Sequence, residues 1–141
     1  MDEPKMGKAE IPSQTPLREV IATENAPAAV GPYSQGIRTR DLVFTAGQLG
    51  IDPATGKFVP GGVEAQARQA LTNLQAVLEA AGSSLSQAVK VTVFLQDMND
   101  FKAVNAVYAQ FFTKAPPARS AVQVAALPLG GLIEIEAIAQ R

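Results

Sequence analysis

Two short stretches hold the side chains best suited to chemistry. Pro117-Ala118-Arg119-Ser120 sets an arginine in a strand-like run, and Leu132-Ile133-Glu134-Ile135-Glu136-Ala137-Ile138 sets two carboxylates in another. Strand alternation puts Arg119, Ala121 and Gln123 on one face, with Ser120, Val122 and Val124 on the other. In the second run Ile133, Ile135 and Ala137 share a face, and Glu134 and Glu136 share the opposite one with Leu132 and Ile138. If the two strands meet, a guanidinium and a carboxylate come within reach of one small molecule. The guanidinium would be a fixed fork for a substrate carboxylate, and the glutamate could position or deprotonate a water. The plainer alternative is a strand pair with one polar, solvated face, and alternation alone favours it.

Other chemistries are closed off by composition. The chain has no cysteine and no histidine, which removes thiol nucleophiles, imidazole bases, His-containing triads, disulfides and the usual zinc sites together. Catalysis must then rest on carboxylates, Arg, Lys, Tyr, Ser or Thr, backbone groups or water. The lack of cysteine fits a reducing compartment, and the expected location is cytoplasmic. Twelve basic residues against 13 acidic ones give a formal charge of −1, and no basic cluster offers a landing surface for nucleic acid. No apolar run reaches the roughly 20 residues of a membrane helix, and the first residues lack the layout of a signal peptide. At 141 residues, 47% of them hydrophobic, one domain with its own core is expected.

The elements that must position Arg119 and Glu134 follow from periodicity and turn residues. Residues 1–19 are polar, with Pro4, Pro12 and Pro16, and read as a flexible tail; residues 20–141 form the domain. Val20 to Thr23 is a short strand. Pro27, Gly31 and Pro32 make the following segment irregular and stiff, leaving Tyr33 at a bend. Its hydroxyl either sits on a backbone group or lines a site. Gly36–Arg40 and Leu42–Gly47 read as two strands, and Ile51–Gly56 as a surface turn. Ala67, Ala70, Leu71, Leu74, Val77, Leu78 and Ala81 draw one apolar stripe along a helix over 63–81, read as core alone, with Gly82 ending it. Val89 to Leu95 alternates as a strand. A second helix spans about 100–112, where Asn105 falls inside the stripe of Phe101, Val104, Tyr108, Phe111 and Phe112. A buried amide left without partners costs about 1–3 kcal/mol, so Asn105 is bonded either to backbone or within a site. The order β-β-β-α-β-α-β-β predicts an α+β sandwich, two helices on one face of a mixed sheet.

Ala26-Pro27-Ala28-Ala29-Val30-Gly31-Pro32-Tyr33-Ser34-Gln35-Gly36, together with Pro117-Ala118-Arg119-Ser120 and Ile133-Glu134-Ile135-Glu136-Ala137, resembles the YjgF/YER057c/UK114 family. Its best-known members are the RidA reactive-intermediate deaminases, and the likeness runs in one register from about Ile21 to Ile138. The resemblance implies a chorismate-mutase-like fold and a homotrimer with clefts between adjacent subunits. It implies hydrolysis of enamine/imine intermediates, such as 2-aminoacrylate, 2-iminopropanoate or 2-iminobutanoate, to 2-oxo acids and ammonia, with no metal or cofactor. Carried over by position, Arg119 holds the carboxylate and Glu134 orients the water and moves protons. Tyr33 and Asn105 match site residues, and Gly47 and Ala121 match positions whose main chain meets the ligand. Ala46 departs from the pattern, since many members carry a serine there, and Ala121 stands where a cysteine is common. Glu136 shares the parity of Glu134, and only the family register separates them. The rival readings are a carboxylate-binding module without turnover, and an RNA-directed activity as translation inhibitor or endoribonuclease, which the acidic pI and missing histidines oppose.

Overall fold

Alternation in the two longest strands sets the architecture. In the computed structural model, β7 (Ala88–Leu95) and β9 (Ile133–Gln140) pair antiparallel at the middle of the sheet. Val91, Val93, Leu95, Ile133, Ile135 and Ala137 all turn to one side and are buried there. Both helices, α1 (Gly62–Ala80) and α2 (Phe101–Phe111), supply the rest of that core, from Ala67, Leu71 and Leu74 to Val104 and Tyr108. Described are residues 17–141; most of the expected tail, 1–16, lies outside them.

The sheet runs β1 (Glu19–Ile21), β2 (Gly36–Arg38), β3 (Leu42–Thr45), β9, β7 and β8 (Ala118–Gln123), and β4 (Gln48–Leu49) also pairs with β9. Every pairing is antiparallel except β7 with β8, whose parallel alignment is made possible by the crossover through α2. The sheet is therefore mixed, with two helices on one side, as the periodicity predicts.

Several boundaries differ from the sequence expectation, each for a local reason. β1 begins at Glu19 because its carboxylate pairs with the Arg38 guanidinium directly across β1 and β2. The expected strand over 42–47 stops at Thr45, and a further strand, β4, follows. The turn expected over 51–56 is the tip of a hairpin, β5 (Ile51–Asp52) with β6 (Lys57–Phe58), in which Asp52 Oδ1 accepts from Ala54 N at 2.9 Å. α1 ends where Gly82 takes a φ of +79°, letting Ser83 N reach Leu78 O at 2.9 Å and Gly82 N reach Glu79 O at 3.0 Å.

The opposite side of the sheet carries apolar side chains with no element of the described residues laid over them. Register places Val20, Ile37, Phe44, Ile138, Phe94 and Val122 there, and Val20, Phe44 and Val122 are 55%, 40% and 42% exposed. Among the described residues no helix is long and apolar enough to cross a membrane.

Candidate active site

The expected site residues fall into two groups. The first gathers at β9 and the chain between β3 and β4. Glu134 is half-buried on the outer side of the sheet, opposite Leu49 of β4 and Phe94 of β7. Its carboxylate lies against the main chain of Gly47: a Cβ added there would stand 2.5 Å from Glu134 Oε1. Glycine at 47 leaves the space that the Glu134 carboxylate occupies, and a side chain there would have to displace it. Glu134, Gly47, Ala46, Tyr33, Val30 and Leu129 help to line a cavity of about 650 Å³ whose walls are largely apolar. Burial pushes the Glu134 carboxyl above the ordinary glutamate range, and the neighbouring charge of Glu136 adds to the rise. Of the two alternatives for the Tyr33 hydroxyl, the structure shows the backbone one: it accepts from Val30 N at 3.4 Å, and the residue also lines the cavity.

Irregular backbone around this group is held by buried amides. Gln35 accepts from Thr23 N at 2.6 Å and donates toward Thr23 O, Ala26 O and Pro27 O, fixing the loop that presents Val30 and Tyr33. Asn73 of α1, wholly buried, donates to Leu49 O at 3.0 Å and Ile51 O at 2.8 Å. Gln66, also on α1, accepts from Leu132 N at 2.9 Å, just before β9. These three were missing from the sequence reading. Asn73 could have been found, because it lies three after Ala70 and four before Val77, inside the apolar stripe.

The second group sits at the β8 edge, on the helix side. β8 pairs Arg119 with Val91 and Ala121 with Val93, so both turn toward α2. Arg119 Nη1 donates to Asn105 Oδ1 at 2.8 Å, so the partner of that amide is a side chain and not backbone. The guanidinium carbon lies 4.6 Å from the ring centre of Tyr108 and 5.4 Å from that of Phe101. Tyr108 stacks on Phe112 with centroids 4.4 Å apart. Its buried hydroxyl has no hydrogen-bond partner among the described residues, and burial pushes its pKa up, with the Arg119 charge partly opposing.

One chain does not bring Arg119 and Glu134 together. β7 lies between β8 and β9, and the two residues have opposite parity: Arg119 pairs with Val91 facing the helices, Glu134 with Phe94 facing away. The prospect of both strands meeting over one small molecule is thereby corrected.

With this geometry in place, likeness to known proteins becomes informative. The sequence profile of the family described as Endoribonuclease L-PSP matches residues 23–141. The chain belongs to this family. Endoribonuclease L-PSP is also the YjgF/RidA family that the two motifs resembled. Within it, a 2-iminobutanoate/2-iminopropanoate deaminase of Capra hircus is 56% identical over 123 residues, covering 87% of this chain and 90% of the relative. The YjgF gene product of E. coli, a crystal structure, superposes with a TM-score of 0.84 at 52% identity, covering 87% of this chain and 98% of that one. E. coli TdcF, solved with bound serine, gives 0.84 at 48% identity with the same coverage of 87% and 98%.

Proposed function

We propose that this chain hydrolyses small 2-imino acids to 2-oxo acids and ammonia, at a site that a second copy of the chain completes. The observation that carries the reading is the Glu134 carboxyl, half-buried in an apolar cavity and resting on the Gly47 main chain. A carboxyl held above the ordinary glutamate range by burial is a better proton acceptor than a free one, and hydration of an imine asks for a group that accepts and returns a proton. The names of relatives such as the Capra hircus deaminase describe that chemistry. The serine held by TdcF is a small molecule with a carboxylate beside its amine-bearing carbon.

Arg119 holds the substrate carboxylate with its planar fork, oriented by Asn105. Water, placed by Glu134, adds to the imine carbon; Glu134 takes its proton as the C–O bond forms. Returned to nitrogen, that proton completes a carbinolamine. Glu134 then takes the hydroxyl proton and passes it to the amine, so the C–N bond breaks with ammonia leaving as the C=O bond of the 2-oxo acid forms. The imine is already electrophilic, so positioning and one proton carrier supply most of the acceleration. Ala46 offers no hydroxyl to the substrate, and the main chain at Gly47 takes that part.

Opposite placement of Arg119 and Glu134 supports a site shared between copies, with Tyr33, Gly47 and Glu134 from one and Asn105, Arg119 and Ala121 from its neighbour. The assembly is a homotrimer, as the family resemblance implies, and the bare apolar sheet face is its natural contact. RNA cleavage fits less well: the cavity presents a carboxylate, which repels phosphate, and the chain has no histidine to act as base.

Ammonia release tests the reading, with 2-iminobutanoate or 2-iminopropanoate generated in place by an amino-acid oxidase. Wild type should accelerate release over the uncatalysed rate. Arg119→Ala should cost about 1.5–3 kcal/mol in substrate binding, a factor of about ten to 150. A folded wild-type protein that leaves the background rate unchanged overturns the proposal.

A further inference from the structure

α2 offers three side chains to one guanidinium. Phe101, Asn105 and Tyr108 stand at i, i+4 and i+7, the spacing that stacks residues along one helix face. Arg119 lies across all three, with its charge 5.4 Å from the Phe101 ring centre and 4.6 Å from that of Tyr108, and Nη1 bonded to Asn105. Most of Tyr108 is buried, at 7% exposure, and its ring is braced from behind by Phe112. It cannot swing aside without opening the core.

We propose that Tyr108 is a positioning residue for substrate binding, its ring, with Phe101, forming an aromatic cradle that aims Arg119. The inference rests on the reading of Arg119 as the carboxylate anchor. A guanidinium attracted to two ring faces loses its freedom to rotate out of plane. The bond from Nη1 to Asn105 then fixes rotation within the plane. Nη1 is the nitrogen remote from Nε–H, so this arrangement leaves the Nε and Nη2 edge uncommitted among the described residues. That edge is one of the guanidinium's two-pronged faces for a carboxylate. Fixing it before the substrate arrives lowers the ordering cost of binding.

The hydroxyl of Tyr108 has no part in the cradle, being buried without a partner. Ring and hydroxyl are therefore separable by mutation. Tyr108→Phe keeps the ring and should match wild type in kcat, in KM and in the affinity for 2-oxobutanoate measured by titration calorimetry. Tyr108→Leu removes the ring and should raise KM for 2-iminobutanoate about fivefold to tenfold while kcat stays within about twofold. In ¹⁵N NMR relaxation, the Arg119 Nε–H signal should be rigid in wild type and Tyr108→Phe, and mobile in Tyr108→Leu. If Tyr108→Leu does not fold, Phe101→Leu, at the half-buried start of α2, carries the same test with a smaller effect. An Arg119 signal as rigid in the leucine variant as in wild type overturns the cradle, whatever the turnover. Equal losses in Tyr108→Phe and Tyr108→Leu overturn it too, because the hydroxyl would then be the active part. Absence of imine hydrolysis in wild type would count against the proposed function, and the Arg119 relaxation data would still decide the cradle.

Discussion

At the scale of the residue, Glu134 and Glu136 show what a sequence can and cannot distinguish. Alternation gives them the same face, and only the family register singled out Glu134. The structure supplies the physical difference: Glu134 lies against Gly47 in the cavity, and Glu136 acts on it as a like charge. Three outcomes follow. Gly47→Ala would put a methyl 2.5 Å from Glu134 Oε1 and 2.6 Å from Cδ, so the carboxylate must swing away. The displaced atoms are the far end of a flexible side chain, so thermal stability should barely change while turnover falls about tenfold or more. Wild-type melting behaviour with wild-type turnover in Gly47→Ala would remove the carboxylate from the reaction. As for pH, a base with a raised pKa loses activity as pH falls through that raised value. The acid limb of kcat/KM should therefore lie above the ordinary glutamate range. Glu136→Gln removes the second cause of the rise and should move the limb downward, while Glu134→Gln should abolish it along with most of the activity. Stability has the opposite sign for this group: a carboxyl whose folded pKa is raised weakens the fold as pH climbs from its unfolded value through its folded one. Glu134→Gln should thus gain stability relative to wild type at neutral pH, and lose that gain below the ordinary glutamate range.

Among the elements, the long ones were legible and the short ones were not. α1, α2, β7 and β9 declare themselves by stripes and alternation over eight residues or more. β4, β5 and β6 have two residues each, too few for any period, and their places are set by partners distant in sequence. Reading α1 as core alone missed half of its work. Asn73 interrupts its apolar stripe just as Asn105 interrupts that of α2, and the same inference applied there would have exposed it. Its amide satisfies two carbonyls, of Leu49 and Ile51, flanking Gly50. That glycine lets the strand lie directly on α1, since a Cβ there would stand 2.5 Å from Gln66 Cα. Asn73→Leu would leave both carbonyls buried and unpaired, for a loss of about 2–4 kcal/mol in urea denaturation. The loss should be accompanied by lower turnover, because β4 pairs with β9 beside Glu134. An Asn73→Leu protein as stable as wild type would mean that water or relaxation replaces the bonds.

For the whole molecule, the decisive feature is that Arg119 and Glu134 face opposite ways from one sheet. Neither alternation nor composition could reveal this, because the strand between β8 and β9 comes from earlier in the chain. The proposal of a site shared between copies makes a sharp prediction. Arg119→Ala destroys the anchoring half and leaves Glu134 intact; Glu134→Gln does the reverse. Each variant alone should be nearly inactive. Unfolded together, mixed in equal amounts and refolded, they should regain activity, because some interfaces will join an intact Arg119 half to an intact Glu134 half. In a ring with random mixing, each site draws one half from each of two neighbours, so about a quarter of the sites should be whole. Activity should therefore return to about a quarter of the wild-type value, and analytical ultracentrifugation of the same sample should show a trimer. A site contained in one chain would recover nothing on mixing, since every copy carries a broken half. Trimers that form in the mixture yet stay inactive would show that Arg119 and Glu134 serve the same chain, and the shared site would have to be abandoned.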